Sequence, residues 1–168
     1  MADPLAKLYR RPGFMMRRAH QIAVSLFLEE TRDLGITNTQ YGILFVLNHH
    51  PGTDQATLAR LLGLDRSTTG MVLKKLEGDG LVGRVVGTQD RRKHSLALTP
   101  QGRRTLTRLA GPARRAQARV LSAFAPGERE TFLDLMEKLT RRFNDSVRAP
   151  LLARQRGVSS KAKPATRL

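Results

Sequence analysis

A single residue, Leu64, separates a glycine placed to end one helix from an aspartate placed to begin another. Upstream, Asp54 has the short acidic side chain that accepts hydrogen bonds from the first free amides of a helix, and Leu58, Leu61 and Leu62 then share one face. Gly63 stands where a helix C-terminus favours a left-handed residue. Downstream of Asp65, Thr69, Val72, Leu73 and Leu76 repeat at the spacing of a buried helical stripe. Two short helices this close must turn on each other, which predicts a helix-turn-helix.

The flanking segments narrow the fold further. Residues 81–86, with Val82, Val85 and Val86, predict a strand, and Ser95, Leu96, Ala97 and Leu98 predict its partner. A hairpin with its loop at 87–93 is therefore expected directly after the helix pair, as a wing. Ahead of the pair, Met15, Ala19, Ile22, Ala23, Leu26 and Phe27 predict an amphipathic helix over 14–34, closed by Gly35. Thr37 and Gln40 have capping-box spacing and Ile36 and Tyr41 that of a hydrophobic staple, so a second helix runs through Ile43, Leu44, Val46 and Leu47 to the turn at Pro51-Gly52. Thr99-Pro100 opens another over 101–124, carrying Leu106, Leu109, Ala113, Val120 and Leu121, with a kink or brief interruption expected at Gly111-Pro112. A last helix starts at Pro126, bears Phe132, Leu135, Met136, Leu139 and Phe143, and fades after Arg148.

The fold class expected is mainly α with a small β-hairpin wing, a winged helix-turn-helix with N- and C-terminal helices. The divisions are 1–35 for the N-terminal helix, 36–100 for the winged lobe, 101–148 for the C-terminal helices and 149–168 for a basic tail expected to be disordered. At 168 residues there is room for one domain with a real core and helical arms.

Charge and composition decide between partner classes. Thirty Lys and Arg against 14 acidic residues give a net charge of +16, a field that attracts polyanions, nucleic acid first among them. No apolar run is long enough to span a bilayer, and residues 1–18 lack the apolar stretch of a secretory signal, so a cytoplasmic protein without membrane contact is expected. The absence of cysteine excludes disulfides, thiolate metal sites and cysteine nucleophiles. His49 and His50 are adjacent and point about 100° apart on a helix, so they cannot chelate together; no metal and no cofactor is expected. No phosphate loop, nucleophile elbow, zinc-binding helix or paired-carboxylate pattern is present, which leaves no catalytic residues to name and argues against an enzyme.

Candidate nucleic-acid contacts fall in two places. On the helix after Asp65, the residues Arg66, Ser67, Thr68, Gly70, Met71, Lys74 and Lys75 lie at its start or away from the apolar stripe. Hydroxyls can meet base edges or phosphate, Gly70 permits close backbone approach, and the lysines neutralise phosphate. The other reading of this surface is an ordinary solvated helix face. In the wing loop, Asp90, Arg91, Arg92 and Lys93 put three cations at a projecting tip, where an arginine can enter a narrow minor groove; the competing reading is a polar turn.

In chain order, residues 37–40, Leu64-Asp65-Arg66-Ser67-Thr68, Leu76-Glu77, Gly80-Leu81-Val82, Asp90-Arg91-Arg92 and Leu98-Thr99-Pro100-Gln101-Gly102 closely resemble the MarR family of bacterial repressors. The resemblance covers residues 14–147, and its most specific part is the Asp-x-Arg wing followed by Leu-Thr-x-x-Gly. It implies a homodimer held by the terminal helices, binding a palindromic double-stranded DNA operator, with Arg92 in the minor groove and Asp90 orienting it. The chain departs from the family pattern at Gly70 and Met71, where serine and a polar or basic residue are common; methionine cannot make a bidentate contact to guanine.

The resemblance also implies a small-molecule inducer, an aromatic acid or its acyl-coenzyme A thioester. Arg17, Arg18 and His20 with Tyr41 and Phe45 supply the cations and rings such an anion needs, although the same residues also read as a basic helix face and core. A different class of function stays open at this point: a sequence-tolerant architectural DNA-binding protein, without a ligand, that uses its charge alone.

Overall fold

Local capping chemistry sets most of the element boundaries. The computed structural model describes residues 4–86 and 94–152. In order they form α1 (Pro4–Tyr9), α2 (Pro12–Glu30), α3 (Asn38–His49), α4 (Gln55–Leu62), α5 (Arg66–Gly78), β1 (Val82–Val86), β2 (His94–Leu98), α6 (Pro100–Leu121) and α7 (Pro126–Arg142), with short 3-10 turns at Arg32–Leu34 and Asn144–Ser146. Thr37 accepts from the Gln40 amide at 3.3 Å while the Gln40 side chain accepts from the Thr37 amide at 2.8 Å, closing the capping box. Asp54 and Thr99 cap α4 and α6 without the return bond, Asp54 accepting from the Ala56 and Thr57 amides and Thr99 from the Gly102 amide.

The hairpin is antiparallel, with Val82 opposite Leu98 and Val86 opposite His94. Its other edge is bridged by a residue the sequence marked only as coming after a turn. Thr53 pairs with Leu96, whose amide donates to the Thr53 carbonyl at 3.0 Å. This ties the start of the helix-turn-helix to the wing.

One core serves the whole lobe. Ile43, Leu44 and Leu47 of α3, Leu58 of α4, Leu73 and Leu76 of α5, and Leu81, Val82, Leu96 and Leu98 of the hairpin region enclose it, with Leu109 of α6 closing the far side. A second cluster of Phe27, Ala113 and Ala116, with Tyr41 against it, joins α2 to α6.

Several element boundaries differ from those expected. The N-terminal helix ends at Glu30, short of residue 34, because the buried Thr31 hydroxyl donates to the Phe27 carbonyl at 2.8 Å and to the Ile36 carbonyl at 3.0 Å, turning the chain into the 3-10 segment. The six-residue α1 was not anticipated, being too short to show a period. Of the two outcomes expected at Gly111-Pro112, the interruption does not occur: α6 runs unbroken for 22 residues. Proline removes the hydrogen bond to the carbonyl four residues earlier, but Leu109, Ala113 and Ala116 are buried around it and hold the helix in place.

The last predicted helix also stops early, at Arg142, and no residue of α7 is buried. Leu133, Leu135 and Met136 are exposed along it, as is Phe143 just beyond. Among the described residues no helix is long and apolar enough to cross a membrane.

Candidate nucleic-acid interface

The two helices of the central motif meet at a turn built by one glycine and one aspartate. Gly63 adopts φ 63° and ψ 34°, the left-handed conformation that only glycine takes without strain, and ends α4. Asp65 then opens α5. Its carboxylate accepts from the Ser67 hydroxyl at 2.6 Å, the Thr68 amide at 2.8 Å and the Thr68 hydroxyl at 2.7 Å. Those bonds, the one from Ser67 foremost, hold the Asp65 carboxyl far below the ordinary carboxylate range.

α5 is sharply two-sided. Thr69, Leu73 and Leu76 are completely buried, and Thr69 returns its hydroxyl hydrogen to the Asp65 carbonyl at 2.8 Å. Arg66, Ser67, Met71, Lys74 and Lys75 are exposed, with Met71 at 68% the most open large apolar side chain among the described residues. Thr68 and Gly70 are half-buried. At Gly70 the close approach that glycine permits is to α4: a Cβ there would lie 3.1 Å from Gln55 Nε2. Lys75 is engaged by Asp79 at 2.6 Å, one helical turn on, whereas no ion pair involves Lys74 among the described residues.

The strand of the wing is pinned to this helix. Arg84 of β1 donates to Glu77 of α5 at 2.7 Å, a contact that sequence reasoning missed because nothing in the pattern joins residues across the turn. Asp90, Arg91, Arg92 and Lys93 lie outside the described residues.

A two-sided helix after a tight turn, with a pinned hairpin next in the chain, is an arrangement with known relatives. The MarR family model matches residues 36–94. A putative transcriptional regulatory protein for the hcr operon of Thauera aromatica is 32% identical over 80% of this chain and 81% of its own length. The transcriptional repressor Rv2887 of Mycobacterium tuberculosis is also 32% identical, over 81% of this chain and 93% of its own. The solved structure of the repressor CouR bound to a 23-mer DNA duplex superposes with a TM-score of 0.76 at 30% identity, covering 84% of this chain and all of that one. CouR bound to p-coumaroyl-CoA gives 0.75 at 30%, over 82% and 96% of the two chains.

The chain belongs to the MarR family.

It is a DNA-binding transcriptional regulator of that family, whose relatives here are named as regulators and repressors and not as enzymes. As in a MarR winged helix, the hairpin comes directly after the second helix of the motif. Among the described residues of this MarR-family chain, no group of three or more His, Asp or Glu side chains could hold a metal ion.

The candidate ligand residues of the MarR chain fall into two groups that the structure keeps apart. Tyr41 packs on Phe27 at 5.6 Å and on Phe45 at 6.0 Å between ring centroids, and Phe45 continues to His49 at 4.4 Å. Arg17 lies over the Phe14 ring at 4.9 Å, and both Arg17 and Arg18 donate to Gln21. His20 is exposed on the same helix. Arg17 precedes Phe27 by ten residues of α2, about 15 Å along the axis at 1.5 Å per residue. A separate surface network fixes the C-terminal end of α2. Glu30 accepts from Arg115 at 2.7 Å and Arg119 at 3.2 Å, and Arg119 also reaches Glu29 at 2.8 Å, locking the end of α2 to α6.

Proposed function

We propose that this chain is a homodimeric, sequence-specific repressor whose α5 enters the major groove of a palindromic operator and whose wing carries Arg92 into the flanking minor groove, and that an aromatic acyl-coenzyme A thioester or aromatic acid releases it. The observation that carries this reading is the asymmetry of α5: the stripe Thr69, Leu73, Leu76 is wholly withdrawn into the core while Arg66, Ser67, Met71, Lys74 and Lys75 face out. Burial of the stripe fixes which side of the helix is offered.

The chemistry of that side narrows what it reads. The Ser67 and Thr68 hydroxyl hydrogens are committed to Asp65, so both oxygens offer only lone pairs. They match the exocyclic amines of cytosine and adenine better than phosphate, which can only accept. Met71 suits a thymine methyl, and Lys74 is the lysine most ready to neutralise phosphate.

A second copy of the chain is the occupant proposed for the terminal helices. Met15 and Ile22 of α2 and Leu135 of α7 are about half exposed, at 55%, 49% and 59%. Apolar side chains left open on several neighbouring turns mark an association surface. Two such subunits would present their α5 helices about 34–36 Å apart, one turn of DNA.

The spacing of the ligand candidates favours an extended anion. In a coenzyme A thioester the pantetheine arm holds the acyl group well away from the diphosphate, so the rings of Tyr41 and Phe45 can take an aromatic acyl group while Arg17, Arg18 and His20 take phosphate. CouR, at 30% identity, was solved with such a thioester.

The test begins with selection of duplexes from a random pool by the purified protein, in which a palindrome should be enriched. On that duplex, Arg92→Ala should cost about 1–3 kcal/mol of binding while leaving the protein folded. Thermal shift should then rank p-coumaroyl-CoA above free p-coumaric acid, and Arg17→Ala with Arg18→Ala should erase that difference. Enrichment of no sequence would leave the architectural function standing; a protein that is monomeric when bound would remove the dimer.

A further inference from the structure

Beyond α7 the chain returns to the helix-turn-helix. The Asn144 side chain accepts from the Leu151 amide at 2.9 Å and donates to the Leu151 carbonyl at 3.1 Å, holding both backbone groups of one residue as a neighbouring strand would. The Leu152 amide donates to the Arg60 carbonyl at 2.8 Å. That carbonyl belongs to the last turn of α4, where the helix itself supplies no donor. The Leu151 side chain lies over the turn, so that a Cβ on Gly63 would stand 3.3 Å from Leu151 Cδ2. Residues 144–152 are thus a strap, fastened to the turn between α4 and α5.

A purely cationic stretch of sequence begins directly after that fastening. Residues 153–168 carry Arg154, Arg156, Lys161, Lys163 and Arg167 and no acidic residue. Gly63 is three residues before Arg66, so the strap is seated within about 11 Å of the start of α5 along the chain. Even coiled into a helix, 16 residues would reach about 24 Å, roughly seven base pairs. A cationic segment that starts from a fixed point beside a DNA-binding helix meets phosphate at a high effective concentration, whereas one hung from the free end of α7 would not.

We propose that the strap 144–152 is an anchor that delivers the basic C-terminal segment to the phosphates flanking the operator, giving each subunit a second, sequence-independent grip on DNA. This rests on the DNA-binding reading of α5 above. The grip adds affinity and salt dependence and leaves base preference to α5 and the wing.

The experiment uses the full-length protein and a duplex it has enriched from a random pool, in one version trimmed to the palindrome and in another with about ten flanking base pairs on each side. Replacing Arg154, Arg156, Lys161, Lys163 and Arg167 together by Gln should weaken binding to the flanked duplex at least tenfold. It should also lower the slope of log affinity against log salt by roughly two to four units per dimer, at about 0.9 per phosphate contact, and barely affect the trimmed duplex. Asn144→Ala, and separately Leu151→Ser, should weaken flanked-duplex binding at least threefold with the native tail and change nothing with the neutral tail, the thermal midpoint showing that each variant is folded. Equal affinity and slope with the neutral tail would overturn the grip. Strap substitutions that have no effect, or the same effect in both tail backgrounds, would overturn the anchor. Failure of the parent protein to enrich any sequence would instead refute the operator reading on which both depend.

Discussion

Replacing Gly102 by Ala should unsettle the joint between the wing and α6. Gly102 is buried in the first turn of that helix, and a Cβ there would stand 2.0 Å from the Leu81 carbonyl oxygen and 3.0 Å from its carbon. Carbon and oxygen normally approach no closer than about 3.3 Å, so something must move by roughly 1.3 Å. Neither side yields freely. The Leu81 carbonyl accepts from the Thr99 amide at 3.1 Å, and the Thr99 hydroxyl that caps α6 donates to the Gly80 carbonyl at 2.6 Å and accepts from the Gly102 amide at 3.0 Å. Overpacking costs about 1–3 kcal/mol, and loosening the cap adds about 1 kcal/mol. Alanine's better helix propensity returns up to about 1 kcal/mol, leaving a net loss of about 1–4 kcal/mol. Gly78→Ala is the internal control, because a Cβ at the end of α5 meets nothing within 4 Å; it should be neutral or stabilising by up to about 1 kcal/mol. Urea unfolding at one fixed chain concentration measures both. A Gly102→Ala protein as stable as the parent would show that the Leu81 carbonyl can swing aside, and the rigid-joint argument would fail.

Acid should unfold the protein through its capped helices. The carboxyl of Asp65 is held down by Ser67 and Thr68, that of Asp54 by Thr57 and Ala56, and that of Glu30 by Arg115 and Arg119. Each native pKa lies below the unfolded value, so the stability they confer is fully present above the ordinary carboxylate range, near pH 4, and is lost as pH falls through the native values. Urea midpoints at pH 6, 4 and 3 should fall in that order, and Asp65→Asn, which caps without ionising, should flatten the fall; an unaltered pH profile in that variant contradicts the assignment. The two lysines of α5 should differ. Lys74→Ala should lower the salt slope of DNA binding by about one unit per subunit, Lys75→Ala by less, and Asp79→Ala should raise it by freeing Lys75; equal effects of the two lysines would show that the Lys75–Asp79 pair does not hold in solution.

Much of the lobe could be read along the chain because its determinants are local. As helix caps, Asp54, Asp65 and Thr99 each accept from an amide within three residues, and the α5 stripe is a periodicity. Other features had no local trace. The Glu77–Arg84 pair, the Thr53–Leu96 bridge and the Gln55 contact at Gly70 join residues of different elements, where no period within one helix or strand connects them. At Pro112 the helix is not interrupted, because the neighbours that bury Leu109, Ala113 and Ala116 come from elsewhere in the fold.

By itself, then, the chain determined where the capped helices α3 to α6 begin, which way each turns its apolar side, the family and the cationic character, since caps, periodicity and charge are properties of adjacent residues. Tertiary structure alone decided that Arg17 and Arg18 stand apart from Tyr41 and Phe45, and that Glu77 holds Arg84 across the turn. It also decided that the chain beyond α7 comes back to rest on Gly63. Such contacts depend on how packed elements cross, and a hydrogen bond from Leu152 to Arg60 exists only once the core has set both ends in place.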